Sequence, residues 1–337
     1  MRAFSYTRAS DVNDAVHRIG TPDGDGASTA ADKFIAGGTN LVDLMNADVM
    51  RPRQVVDITR LPLDTIEETP QGGLRLGALV TNAVTAYDER VARRYPLLSR
   101  AILAGASAQL RNMATDGGNL LQRTRCYYFY DTATPCNKRK PGSGCGAIDG
   151  VNRIHAILGA SAHCIATHPS DMCVALAALA AVVRVTGPAG ERTIPFAEFH
   201  RLPGDTPQID TNLRADELVT AIDLPPQGYA EHLTYLKIRD RASYAFALVS
   251  VAVGLEMEGD TITHARLALG GVAHKPWRDE EAEKMLAGKT AAAENFRLVA
   301  EFILRDARGY GHNTFKIELA KRAIVRALEE AAGKVQP

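Results

Sequence analysis

Four cysteines spaced Cys126-x9-Cys136-x8-Cys145-x18-Cys164 lie in one segment rich in Gly, Pro, Lys and Arg, RTRCYYFYDTATPCNKRKPGSGCGAIDGVNRIHAILGASAHC. A stretch of this length with no hydrophobic periodicity, set inside a compact chain, is either functional or disordered. The neighbours of the thiols are polar, so burial as small core residues explains them poorly. Four thiolates fit around one metal centre, either a zinc ion or an iron–sulfur cluster. Two disulfides, or thiols with no common role, remain the alternatives that spacing leaves open. Zinc sites favour short Cys-x2–4-Cys pairs, and none occurs here. A zinc staple would use the four cysteines, with His155, His163 or His168 as alternative ligands.

The fifth thiol, Cys173, sits in the apolar run CVALAALAAVV and reads as a small buried residue. That run, Met172 to Val183, is too short to cross a bilayer. With 39 Lys and Arg against 39 Asp and Glu, nothing favours nucleic acid or an anionic membrane as partner. At 337 residues, 46% of them hydrophobic, the chain is expected to form two or three globular domains with a sizeable core. Its first residues, MRAFSYTRAS, contain no apolar export signal.

Periodicity predicts a short βαβ-type unit over residues 1–60: a helix at Asp11–Ile19, a strand at Lys33–Ala36, a helix at Asn40–Asn46 and a strand at Gln54–Asp57. The stretch TPDGDGAST at 21–29 is expected to be a solvated loop. A strand follows at Gly73–Ala78, then helices at Ala83–Tyr87 and over the run Tyr95–Leu110. Beyond the cysteines come an Ala-rich helix at 172–181 and a strand at Ala181–Thr186, and the breaker cluster PPQGY at 225–229 suits a domain boundary. Three strands are then expected at His232–Ile238, Ala247–Met257 and Thr263–Gly270, with helices over 279–287, 290–306 and 313–332.

Three polar turns punctuate this pattern. The first, Ile35-Ala36-Gly37-Gly38-Thr39-Asn40-Leu41, joins a strand to a helix, and its glycines would let backbone N–H groups approach an anion. Thr39 or Asn40 would cap the helix or donate to phosphate. The turn lacks both the GxGxxG of a nicotinamide site and the GK[ST] of a P-loop. The second turn, Ala114-Thr115-Asp116-Gly117-Gly118-Asn119-Leu120, directly precedes the cysteine segment. The third, His168-Pro169-Ser170-Asp171, follows it, with Ser170 or Asp171 as the expected cap of the Ala-rich helix. Three donor-rich turns, two of them flanking the thiols, suggest one long anionic ligand lying near a metal centre.

The AGGTNL turn, the ATxGGNL turn, the SDxxxAL segment from Ser170 and Tyr235-x-Lys237-x-x-x-Arg241 occur in the order and spacing of a known family. Over essentially its whole length the chain resembles the FAD-binding subunit of the xanthine dehydrogenase, or molybdenum hydroxylase, family. QRTRC, PCNKRKPGSGC and ATHPSDMCVAL narrow the likeness to the FAD and [4Fe-4S] subunit of bacterial periplasmic aldehyde oxidoreductases. Hydroxybenzoyl-CoA reductase carries a comparable insertion.

The resemblance implies an α+β fold. A vanillyl-alcohol-oxidase-type FAD-binding domain in two subdomains would span 1–228, with the cluster insertion at about 121–167, and an antiparallel sheet with helices would fill 229–337. It implies FAD held by residues 35–41 and by Thr115, Gly118, Asn119, Asp171 and Lys237, although Lys237 would also suit a snorkelling lysine at a strand edge. It implies a [4Fe-4S] cluster on Cys126, Cys136, Cys145 and Cys164. Lys138, Arg139 and Lys140 would then offset cluster charge, unless they are simply a solvated loop. The implied partners are a molybdopterin-cytosine-dinucleotide large subunit and a small subunit with two [2Fe-2S] clusters, passing electrons to an external acceptor. The compartment would be the periplasm, by co-export on a partner's twin-arginine signal, or the cytoplasm. Asp116 departs from the family, which has an apolar residue there, and a carboxylate so placed would repel a pyrophosphate unless it points away. The other class to weigh is a self-contained FAD oxidase, which often tethers its flavin through a histidine; no His lies in or beside the first Gly-Gly turn.

Overall fold

The computed structural model describes residues 1–19 and 31–335, so the loop expected at 21–29 lies outside the described residues. Among the described residues the strands form three sheets, and the fold is α+β. The first sheet contains β1 (Ser5–Arg8), β2 (Lys33–Ile35) and β3 (Gln54–Asp57), paired in parallel in the order β1-β3-β2. The βαβ unit read from periodicity is therefore present, with Leu41–Asn46 as its crossover helix. Strand β1 adds an edge that its polar sequence, SYTR, does not announce.

The second sheet runs β4-β5-β8-β6-β7, all antiparallel: β4 (Ile66–Glu68), β5 (Leu74–Gly77), β6 (Val182–Gly187), β7 (Gly190–Pro195) and β8 (Leu218–Leu224). Its inward residues Leu74, Leu76, Val183, Val185 and Ile222 share one core with the helices Pro96–Ala104 and Asp171–Ala178. Between β5 and β6, the next strand of this sheet along the chain, the backbone leaves the sheet and returns to it. That excursion carries the second turn, the thiol segment and the third turn.

The third sheet is β9 (Leu233–Ile238), β10 (Val249–Glu258), β11 (Thr261–Gly270) and β12 (Trp277–Arg278), with β13 (Lys289–Thr290) also on β11. Val249, Val251 and Val253 pack toward the helices Ala293–Ile303 and Phe315–Ala331, while Ala252 and Ala268 join the core of the second sheet. Strict alternation along β10 thus feeds two cores from one strand.

The single helix expected over 95–110 is two. Pro96–Ala104 ends at Gly105, Ala106 takes φ 50°, and Ser107 caps a new turn at Ala108–Arg111 through Leu110 N. The break brings the Gly105 backbone against the Asp171 carboxylate, where an added Cβ would lie 3.1 Å from Oδ2. A helix at Glu89–Arg94, capped by Asp88, was also not anticipated. Among the described residues no helix is long and apolar enough to cross a membrane.

Candidate functional site

A cleft of about 1040 Å³ is lined by all three turns. Strand β2 delivers the first turn to it. Gly38 adopts φ +71°, open to glycine at little cost, and Gly37 presses so closely on the Met113 backbone that a Cβ would overlap that carbonyl oxygen. Asn40 does not cap its helix through its side chain; its Oδ1 accepts the Arg123 backbone N–H at 2.9 Å. Its Nδ2 is buried and has no partner. Residues 35–41 all line the cleft, as do Thr115, Gly118, Asn119, Asp171 and Lys237.

The second turn opens a short helix, Asp116–Leu120, capped by Thr115 Oγ1 on the Gly118 N–H. It is sewn to the chain after β5 by Asn82 N to Ala114 O, Asp116 N to Val80 O and Gly117 N to Ala78 O, each 2.8–2.9 Å. Asp116 turns away from the cleft into the protein, where it is fully buried. Asn82 Nδ2 donates to it at 2.7 Å and Thr85 Oγ1 at 2.5 Å. Desolvation pushes its carboxyl up to about 7. The repulsion expected from a carboxylate in this turn is thereby avoided. Asn82 Oδ1 in turn accepts from Asn119 Nδ2 at 2.7 Å, and Asn119 Oδ1 accepts from Ser170 Oγ at 2.5 Å. Ser170 caps the Asp171–Ala178 helix by accepting the Cys173 N–H at 3.0 Å. One polar chain therefore links the second turn to the third.

Lys237 is not a snorkelling edge lysine. Its side chain is 4% exposed and donates to Asp171 Oδ2 at 2.8 Å and Ala104 O at 3.0 Å. Tyr235 OH donates to Asp171 Oδ1 at 2.6 Å, so two alternate residues of β9 clamp one carboxylate at the cleft wall.

The four loop thiols come together. Cys126, Cys136 and Cys164 are buried and Cys145 half-buried, in one apolar cluster with Phe129, Ala147, Ile165 and Ala166. The polar neighbours along the chain thus do not describe the thiols' surroundings, because the segment folds its few apolar side chains inward around them. Cys136 and Cys145 pair across a short antiparallel bridge, and all five cysteines are free thiols. The Cys164 thiol donates to Cys145, which holds Cys145 down at about 6, while burial pushes Cys126 up to about 12. His155 Nε2 lies 3.1 Å from Cys126 Sγ. His163 instead faces Asp205 at the surface, and the His168 ring lies against that of His200, tilted by 56°.

The basic run 138–140 is neither a solvated loop nor three free charges. Lys138 is buried and donates to Asp210 Oδ1 and Pro207 O; Arg139 donates to the carbonyls of Tyr128, Phe129 and Thr134; Lys140 is exposed. Asp210 also accepts from Arg123 Nε at 2.8 Å, and the Arg123 guanidinium lies 4.8 Å from the Phe129 ring centroid. Lys138 and Arg123 hold the Asp210 carboxyl far below the ordinary range against its desolvation. Through Asn40, Arg123 and Asp210, the first turn and the thiol loop share one set of contacts. Asn82, Arg123 and Asp210 were not among the residues singled out by sequence. Arg123 stood inside a noticed string, but nothing local marks the other two.

Residues 2–227 match the family model described as the FAD binding domain in molybdopterin dehydrogenase, and residues 234–331 match the CO dehydrogenase flavoprotein C-terminal domain. The chain belongs to the FAD-binding subunits of the molybdenum hydroxylases. It is 51% identical over 332 residues to the aldehyde oxidoreductase FAD-binding subunit PaoB of Escherichia coli (strain K12), covering 98% of this chain and 99% of that one. It is 27% identical over 334 residues to the glyceraldehyde dehydrogenase medium chain of Sulfolobus acidocaldarius, 98% of each chain being covered. Among solved structures, carbon monoxide dehydrogenase from Hydrogenophaga pseudoflava aligns with TM-score 0.75 and 25% identity over 99% of this chain and 98% of that one. This molybdenum hydroxylase subunit thus binds FAD and belongs to an oxidoreductase built from several subunits.

Proposed function

We propose that this chain is the electron-transfer subunit of an aldehyde-oxidising molybdenum hydroxylase, with FAD in the cleft and a [4Fe-4S] cluster on the loop thiols. The observation that carries the reading is the convergence of three polar turns on one cleft, with four thiols gathered behind its wall. The unpartnered Asn40 Nδ2 and the close backbone of the first turn fit a pyrophosphate; Thr115, Gly118 and Asn119 would meet the middle of the cofactor, with Asp171 and Lys237 toward the flavin end. The thiols suit a cluster better than a zinc ion: among the described residues no three of them lie within 4.8 Å of one another, wider than the spacing of thiolates about 2.3 Å from one zinc.

When bound, the flavin and the cluster supply electron exchange between partner [2Fe-2S] centres and an external acceptor. The chain's own work is to hold these groups close together and dry. Asp171 is pre-oriented by Tyr235 and Lys237, and Asp210 pairs with both Arg123 and Lys138 between the two sites. The reading includes a heterotrimer with a molybdopterin-cytosine-dinucleotide large subunit and a [2Fe-2S] small subunit, a domain division near 228/229 and a periplasmic or cytoplasmic location, and membership of a multi-subunit family supports it. PaoB's likeness favours an aldehyde over a hydroxybenzoyl-CoA substrate. The test is to purify the chain alone and with those partners. We expect flavin and about four irons per chain, no aldehyde-dependent dye reduction by the chain alone, and turnover only in the complex. Aldehyde oxidation by the isolated chain, or a colourless protein, would sink the proposal.

A further inference from the structure

Cys173 lies outside the thiol loop, on the Asp171–Ala178 helix, and two histidines from other segments come to it. One potential ligand atom each of His168, Cys173 and His200 lies within 4.8 Å of the other two, and among the described residues this is the group of three so placed. The rings of His168 and His200 have centroids 4.3 Å apart. His200 is 4% exposed, and its Nε2–H donates to Leu120 O at 2.8 Å. That bond leaves Nδ1 as a bare lone pair, and Nδ1 is buried without a partner. A backbone carbonyl fixing one ring nitrogen while the other stays free is how metal-binding imidazoles are commonly held. On His168, Nε2 is likewise buried and unpartnered, and Nδ1 has only a long 3.4 Å contact from the Ser170 N–H.

Beside them is a small cavity of about 20 Å³ lined by His168, His200 and His274, and both ring nitrogens of His274 lack partners. Four buried, unpartnered nitrogens around one cavity are costly unless something binds there. The volume holds one water. Lys138 and Asp210 also line the cavity, and the lysine is held in an ion pair with that carboxylate rather than standing free against a cation. Two imidazoles and a thiol are a soft donor set that selects zinc over magnesium or calcium.

We propose that His168, Cys173 and His200 bind one zinc ion, with a water in the adjoining cavity as fourth ligand. Binding breaks only the S–H bond of Cys173, whose proton leaves to solvent as the thiolate joins the metal. Without the metal, burial pushes this thiol up to about 12, so it is otherwise inert. The ion would pin the start of the Asp171–Ala178 helix to the segment after Phe196–Phe199. Asp171 lies between two of the ligands in sequence, so the metal would stiffen the third turn of the cleft. The site is separate from the loop thiols and stands whether or not they hold iron.

Metal analysis and zinc-edge X-ray absorption on the full-length chain test this. After incubation with zinc sulfate and desalting, we expect about one zinc per chain, with one sulfur at about 2.3 Å and nitrogen or oxygen neighbours at about 2.0 Å. Cys173→Ser and His200→Asn should each lower zinc affinity at least tenfold, while a change at surface His163, His163→Asn, keeps it. Less than a tenth of an equivalent of zinc, or a shell of four sulfurs, overturns the proposal. The absorption spectrum of the unsubstituted chain decides this even if a variant fails to fold.

Discussion

Asp116 accepts hydrogen bonds from Asn82 Nδ2 at 2.7 Å and Thr85 Oγ1 at 2.5 Å, beneath the second turn and out of the cleft. The carboxylate that looked like a hazard to a pyrophosphate is the anchor of the chain Asp116–Asn82–Asn119–Ser170. Replacing it by Ile strands two buried donors. We expect Asp116→Ile to cost about 2–4 kcal/mol of stability and to lower flavin occupancy, measured by denaturant unfolding and by flavin-to-protein ratio. Unchanged values for both would show that the chain of bonds is dispensable.

The same residue predicts a pH dependence. Its folded-state pKa is raised to about 7 by burial, so the folded protein holds the proton more tightly than the unfolded chain. The resulting stability is complete below pH about 4 and declines as pH rises toward 7, at up to about 1.4 kcal/mol per pH unit. Melting temperature should therefore fall between pH 5 and 7, and more steeply than in Asp116→Asn. Equal slopes in the two proteins would mean that Asp116 is ionised throughout.

Asp210→Asn should be among the most harmful single changes in the cleft wall. Lys138 is 1% exposed and would lose its counter-charge, as would Arg123. Removing one member of a fully buried pair costs about 3–5 kcal/mol, and because Asp210 is a third exposed the loss should fall toward the lower end of that range. Because these residues join the thiol loop to Asn40, iron content and flavin content should drop together. Loss of one alone, at normal stability, would show the two sites to be independent.

The two glycines of the first turn should differ. Gly37→Ala must push back the Met113 backbone and should abolish flavin retention. Gly38→Ala meets Val42 Cγ2 at 3.1 Å and Ile35 Cδ1 at an ordinary 3.6 Å, with φ +71° costing about 1–2 kcal/mol. It should keep much of its flavin. Equal loss in both would place the constraint on the cofactor side rather than on protein packing.

Serine in place of any of Cys126, Cys136, Cys145 or Cys164 should remove most of the iron and the reduced-state electron paramagnetic resonance signal, since an incomplete thiolate shell exposes the cluster to oxidation. Cys173→Ser should spare both. Full iron in Cys145→Ser would defeat the cluster assignment.

Most elements were legible in sequence because their cause is local. Strand β3, the Ala-rich helix and the alternation of β10 follow from hydrophobic period, and the turns from Gly, Asn, Ser and Asp acting on backbone within a few residues. Of the strands that the pattern passed over, β1 and β8 owe their state to neighbours distant in sequence, whereas β4 pairs with nearby β5; β8 pairs with β5 across some 140 residues and is a strand because that ladder exists. The break after Ala104 has the same origin, since it lets the chain pass close to Asp171.

For the site, sequence alone determined the donor types: which glycines make turns, which four thiols belong together, and which carboxylate and lysine to watch. What those groups do to one another was decided by tertiary structure. Whether Asp116 faces the cleft, whether Lys138 is solvated, and whether Lys237 reaches water depend on direction and burial, which are set by residues such as Asn82, Asp210 and Tyr235 lying far away along the chain. A side chain's chemistry is carried by its identity, but its charge state and partners depend on the dielectric and the donors around it, and these exist only once the chain has closed on itself.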